Sequence, residues 1–151
     1  MSIRYIKKNE MGELLDLYAH LHRKDEQLPE KSILMSIWDE IMSNSLLHYF
    51  VVEHNNKFIS SCALSIIPNL TRGGRPYGLI ENVVTHTDHR QQGFGISVLQ
   101  HALNVAWKNK CYKVMLLTGS KEPAVHHFYE KAGFKKGIKT GFVANPPDFL
   151  D

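Results

Sequence analysis

The stretch Arg90-Gln91-Gln92-Gly93-Phe94-Gly95-Ile96-Ser97 is the part of this chain best suited to chemistry. Two glycines stand one residue apart, behind an arginine and ahead of an apolar run with helical period. A glycine-rich turn that opens a helix exposes backbone N–H groups without carbonyl partners, and the helix dipole adds partial positive charge there. Bare glycines let a ligand come close to that backbone. The arrangement suits a phosphate or pyrophosphate, and Arg90 is placed to add charge. The competing reading is an ordinary tight turn with two flexible residues. Neither familiar nucleotide loop is present: Ile96-Ser97-Val98 follows the second glycine where G-x-G-x-x-G needs a third, and no G-x-x-x-x-G-K-S/T occurs.

Thr71-Arg72-Gly73-Gly74-Arg75-Pro76 offers a second, different anion site. Guanidinium groups pair carboxylate or phosphate in a bidentate manner, so Arg72 and Arg75 could clamp an anionic group on a substrate. The alternative is a mobile loop with two solvated charges. The nine histidines raise a metal reading. His86 with His89, or His126 with His127, lack a third ligand at useful spacing, so no metal site is expected. Cys62 and Cys111 each lie in an apolar segment and read as reduced packing residues.

These groups need elements to hold them. Ser2 to Lys7 reads as a first strand. Asn9 is placed to cap a helix from Glu10 to Arg23, with Leu14, Leu17, Tyr18 and Leu21 on one face. A second helix runs from about Ser32 to Met42. Leu47–Glu53 and Lys57–Ile67 are β-rich runs joined by His54-Asn55-Asn56, a hairpin signal. Tyr77 to His86 reads as a strand, Gly93 to about Lys108 as a helix, and Tyr112 to Thr118 as a short apolar strand. A helix from Pro123 ends at Gly133, a good C-terminal cap. Ile138 to Val143 reads as a last strand. Strand, helix and strand in succession form a right-handed crossover with a parallel pair. The fold class is mixed α/β in one domain over residues 1–151, with a central sheet antiparallel in its first half, a parallel pair later, and flanking helices.

The 151 residues, 43% of them apolar, suffice for one core. A net charge of +3 without interleaved basic and aromatic residues disfavours nucleic-acid binding. No apolar run is long enough to span a membrane, and Met1–Glu10 lacks a signal-peptide core, so the cytoplasm is the expected location.

Arg90 to Gly95 resembles the Q/R-x-x-G-x-G/A signature of the GNAT superfamily of acetyl-CoA-dependent N-acetyltransferases. It follows a strand, Ile80-Glu81-Asn82-Val83-Val84-Thr85, similar to that family's central strand. His127-Phe128-Tyr129-Glu130-Lys131-Ala132-Gly133-Phe134 is similar to its F-Y-x-K-x-G-F segment. The two motifs stand in the family's order, with a helix and a strand between them. Ile80 to Val84 and Cys111-Tyr112-Lys113 are loosely similar to the glucosamine-6-phosphate N-acetyltransferases. Thr87, His89, Glu122 and Val125 depart from the commoner residues.

The resemblance implies that acetyl-CoA lies between two splayed strands, those ending at His86 and Thr118. Val83, Val84 and Thr85 would bond its pantetheine arm through their backbone. The N–H groups of Gln91, Gln92, Gly93, Phe94, Gly95, Ile96 and Ser97 would hold its pyrophosphate, with Arg90 beside them. The acceptor would be an amine, a small molecule in preference to a protein, and a homodimer is common in the family. Glu81 would take a proton from the incoming ammonium through water, or else is a carboxylate on a solvated face or in an ion pair. Tyr129 would protonate the departing thiolate, which is feasible because a phenol pKa of about 10 lies near a thiol's of about 8.5. The alternative for Tyr129 is packing alone.

Overall fold

The protein is described here by a computed structural model covering residues 1–22 and 24–147. Its contacts divide the chain into two units, Met1–Leu116 and Leu117–Asp151. The first unit holds five strands in the order β1 (Ser2–Tyr5), β2 (Leu47–His54), β3 (Lys57–Ile67), β4 (Tyr77–Thr85) and β5 (Val114–Met115). All neighbours run antiparallel except β4 and β5, which are parallel. Helices α1 (Met11–Tyr18) and α2 (Lys31–Ser43) precede β2, a four-residue turn α3 (Thr71–Gly74) precedes β4, and α4 (Phe94–Lys108) links β4 to β5.

The β2–β3 hairpin closes through Asn55 and Asn56, with φ of 52° and 59°. Asparagine tolerates that left-handed region, and two such residues form the turn whose twist matches a hairpin. Successive strand residues point to opposite faces, so the adjacent, fully buried Phe50 and Val51 report two covered faces. Phe50 meets His101 of α4 edge-on, and the Cys62 thiol donates to the Val98 carbonyl of α4 at 3.8 Å. Val51 packs with Ile6, Leu14 and Trp38 on the α1–α2 side. Burying side chains of this size contributes about 1.5–3 kcal/mol each, so the two layers hold the sheet between them. Gly78 is required by closeness: an added Cβ would stand 3.0 Å from Leu64 and 3.1 Å from Val114.

Three expectations for the first unit need correction. Asn9 lies inside a short 3-10 turn (Lys8–Glu10), and Glu10 closes that turn by accepting from the Lys7 amide at 2.7 Å. The first helix starts at Met11 and ends at Tyr18; the expected end, Arg23, lies outside the described residues. The strand expected over 112–118 pairs only as Gly78 with Val114 and Leu79 with Met115. A bulge further along β4 bends that strand, and the parallel pair stops before it.

In the second unit, α5 (Pro123–Ala132) carries proline at its first turn and ends on Gly133 with φ 112°, as the sequence predicts. The strand expected over 138–143 does not form, and Ile138, Phe142 and Val143 are exposed. β propensity is realised only against a partner edge and a covered face, and no described strand of this unit supplies them.

Candidate active site

Gly93 is the N-cap of α4, with φ 86° and no side-chain cap. Gln91 before it is also left-handed, at φ 60°. Such alternation turns successive amides toward one side and forms an anion-binding concavity. Ser97 donates both its amide and its Oγ to the Gly93 carbonyl at 3.0 Å. The Ser97 amide is therefore already used, and the open donors are those of Phe94, Gly95 and Ile96, the first turn of a fifteen-residue helix. A Cβ built on Gly93 would meet nothing within 4 Å. Room for a phosphate thus exists against a positive helix end, and the fit to a pyrophosphate is good.

Arg90 is anchored on two backbone carbonyls. Its Nε donates to the Thr85 carbonyl at 3.2 Å and its Nη2 to the His20 carbonyl at 2.9 Å. It ties the end of β4 to the turn after α1. The Thr87 hydroxyl meets His20 Nδ1 at 3.3 Å, and the His20 and His86 rings lie tilted against each other with centroids 4.0 Å apart. Burial, and next the neighbouring His20, hold the His86 imidazole below its ordinary pKa.

The middle of β4 is irregular. Ser61 pairs with Val84 and Ala63 with Glu81, so Cys62 alone faces both Asn82 and Val83. Asn82 takes φ 54°, the left-handed conformation of a bulged residue. Beyond Leu79, β4 has no described partner on its β5 edge. Val83, Val84 and Thr85 lie on that open stretch. Two of their carbonyls are already engaged: Val84 accepts from Ser60 Oγ at 2.8 Å, and Thr85 accepts from Arg90. Glu81 is exposed, one residue before the bulge.

Behind the bulge lies a cavity of about 230 Å³ whose walls include Leu14, Tyr18, Leu34, Trp38, Tyr49 and Asn82. The Tyr18 hydroxyl is sealed from solvent without a hydrogen bond of good geometry, although the Asn82 amide faces it. Burial, then the nearby Tyr49 and Cys62, push the Tyr18 phenol far above its usual pKa. The Trp38 indole donates to the Lys8 carbonyl at 2.7 Å, which anchors α2 to the first turn.

Arg72 and Arg75 sit at the other end of β4. Each guanidinium lies 5.8 Å from the centre of the Tyr112 ring, and Arg75 Nε donates to the Arg72 carbonyl at 3.2 Å. Lys113 joins them over Tyr112 and Tyr77. At about 3.3 Å per strand residue, Arg75 stands roughly 20 Å along the chain from Glu81.

Tyr129 belongs to the second unit, half-buried on α5. Its ring meets Phe128 at 4.9 Å and Phe134 at 6.4 Å, both edge-on. His126, one turn earlier, shares a 2.7 Å hydrogen bond with the Ser120 carbonyl.

Sequence reasoning passed over Asn82, Tyr18, Tyr49 and Trp38 as site residues. Tyr18 was legible only as a member of an apolar helix stripe. The one signal at Asn82 was its type, an asparagine inside an apolar strand, since asparagine is among the few residues that accept φ above zero.

Residues 11–134 match the acetyltransferase (GNAT) family. The chain is 29% identical over 137 residues to a glucosamine 6-phosphate N-acetyltransferase of Trypanosoma brucei brucei, covering 89% of each. It is similar to the structure of a putative acetyltransferase from Agrobacterium tumefaciens, at 40% identity and a TM-score of 0.90 over 97% of this chain and 100% of that one. It shares its fold with glucosamine-6-phosphate N-acetyltransferase from Arabidopsis thaliana, at 21% identity and a TM-score of 0.82, covering 97% and 98%.

Proposed function

This chain belongs to the acetyltransferase (GNAT) family and is an acetyl-CoA-dependent N-acetyltransferase, and on that premise we propose that it acetylates a small-molecule primary amine by direct attack. One observation carries the reading. The Gly93-capped helix with open amides at residues 94–96 follows a strand whose β5 edge has no partner among the described residues beyond Leu79. Acetyl-CoA, when bound, supplies the activated acyl group.

The residues of the chain divide the work. The amides of Phe94, Gly95 and Ile96 take the pyrophosphate, and the turn Arg90–Gly93 shapes the approach. The backbone of Val83 to Thr85 offers the extended contacts that suit a pantetheine arm. Glu81 takes a proton from the ammonium through water, which frees the nitrogen lone pair. The nitrogen then bonds to the acyl carbon, a tetrahedral oxyanion forms, the nitrogen gives up its second proton to water, and the intermediate collapses with loss of the carbon–sulfur bond. Tyr129 hands its phenolic proton to the leaving sulfur. The family match runs over residues 11–134, from the first unit into the second, which supports one catalytic domain over residues 1–151.

The test is a panel of primary amines with thiol detection of released CoA and mass analysis of the product. The reading expects CoA release that depends on the amine, with one acetyl group gained by the amine nitrogen. Acetyl-CoA binding without release for any amine would make the chain a CoA-binding module instead.

A further inference from the structure

The cationic cluster at the start of β4 lacks a counter-charge. Arg72, Arg75 and Lys113 all stand over the Tyr112 ring, with their charged groups 5.8, 5.8 and 5.2 Å from its centre. Lys113 also lies 5.5 Å from the centre of the Tyr77 ring. No acidic side chain among the described residues pairs with any of the three; the ion pairs there belong to Arg4, Lys8 and His86. Apart from Arg75 Nε, which donates to the Arg72 carbonyl, none of the three side chains donates a hydrogen bond to a described residue. Like charges gathered on one ring repel one another, and the negative ring face offsets only part of that. Lys113 is half-buried, where screening is weaker.

The backbone is strained to build this cluster. Arg72 takes φ 56° and ψ 39°, and Gly73 and Gly74 continue the left-handed turn at φ 71° and 75°. Glycine holds such angles freely, whereas a side chain there carries a steric cost. Strain of this kind collects at ligand clamps. No ion pair or side-chain hydrogen bond of Arg72 to a described residue offsets it.

A single guanidinium fork satisfies a carboxylate. A phosphate ester brings close to two negative charges and three acceptor oxygens, which suits two guanidinium groups and an ammonium together. Position separates this site from the transfer chemistry. The Gly78 amide donates to the Lys113 carbonyl and the Tyr112 amide to the Pro76 carbonyl, both at 2.9 Å, so the cluster spans β4 and β5 at their paired end. The stretch of β4 without a described β5 partner begins after Leu79. With the amine placed at Glu81, as proposed above, roughly 20 Å of strand lies between it and Arg75, more than a single sugar phosphate spans.

We propose that Arg72, Arg75 and Lys113 bind the phosphate group of a small phosphate ester, a ligand additional to acetyl-CoA and the acceptor. The phosphate takes two guanidinium groups from the turn ahead of β4 and the ammonium from the residue ahead of β5. It neutralises the cluster and ties the two strands together where they pair.

The experiment titrates the full chain with inorganic phosphate in a calorimeter, at constant ionic strength and with CoA saturating, so that the turn at the head of α4 is already filled. Phosphate should bind, and the double variant Arg72→Ala with Arg75→Ala should weaken it at least about tenfold, the effect of one charged hydrogen bond. Arg72→Gly keeps the left-handed turn and removes the strained side chain. It should weaken phosphate too, yet melt no lower than the parent when phosphate is absent. No binding to the parent, or undiminished binding to the double variant, would overturn the site. A lower melting temperature of phosphate-free Arg72→Gly would make the stacked arginine a structural member and overturn the clamp. A higher KM for glucosamine 6-phosphate in the double variant, with that for 2-phenylethylamine unchanged, would hand the cluster to the acceptor and overturn its separateness. Absence of CoA release with any amine, phosphate binding being intact, would sink the acetyltransferase reading and leave this site standing.

Discussion

The turn at the head of α4 and the cationic cluster at the start of β4 use opposite means of recognition. The first works through backbone. Its donors are the amides of three consecutive residues, and its shape is set by the left-handed Gln91 and Gly93. The second works through side chains, those of Arg72, Arg75 and Lys113, that meet only in the folded protein. A backbone site recognises what every cofactor molecule shares, whereas a side-chain site can change with each substitution. On the function proposed here, the constant ligand, acetyl-CoA, belongs to the first region.

Substitutions can separate the two. The largest effect belongs to a residue outside both. Tyr129→Phe should lower kcat by roughly 10²–10⁴-fold, the usual size of general-acid catalysis, with acetyl-CoA affinity retained. A kcat within about twofold of the parent would leave Tyr129 as a ring packed between Phe128 and Phe134. Next in size, Lys113→Glu should weaken inorganic phosphate binding about tenfold by turning one cation of the cluster into a like charge. If acetyl-CoA affinity fell with it, the two regions would not be independent.

Asn82→Val tests the bulge. A β-branched residue at φ 54° should cost about 1–2 kcal/mol in urea unfolding, whereas Asn82→Gly should cost less. Equal losses would mean that the asparagine amide, not its backbone, holds the site.

The smallest effect is a pH dependence at the joint between α1 and the turn. His86 titrates below its ordinary value in the folded state, so the folded state binds fewer protons than the unfolded one as pH falls. Stability from this group is present above the unfolded pKa, about 6.5, and is lost as pH drops toward the folded value. His86→Gln should flatten the decline in melting temperature between about pH 7 and 5. A slope identical to the parent's would remove His86 as its cause.

The sequence disclosed the two regions unequally, for the same reason. The anion turn was legible because its parts are contiguous: the glycine pair, the helical run behind it and the strand ahead need no tertiary information. The hairpin at Asn55-Asn56 and the cap at Gly133 were legible on the same ground. The cluster was legible only in Arg72 and Arg75, because Lys113 and Tyr112 reach them through the pairing of β4 with β5. The bulge at Asn82 was hidden because one extra residue leaves strand composition unchanged. The run Tyr112–Thr118 and the segment Ile138–Val143 were overread, because β propensity reports a side chain's suitability for a sheet and not whether an edge is available. Arg90 was read as a charge beside the phosphate; that its Nε and Nη2 also donate to the carbonyls of Thr85 and His20 only a distant part of the chain could reveal.

The backbone cradle is the claim on which the rest depends, and calorimetry of acetyl-CoA binding to the parent, Gly93→Asn and Gly93→Asp tests it most directly. Both variants place a side chain of similar size in the open space above Gly93 and share the strain of its left-handed backbone, which asparagine and aspartate tolerate better than most residues. They differ in one negative charge. The cradle account predicts that Gly93→Asp weakens acetyl-CoA binding about 100-fold relative to Gly93→Asn, equivalent to about 2.7 kcal/mol. Equal affinity of the two folded variants would contradict it.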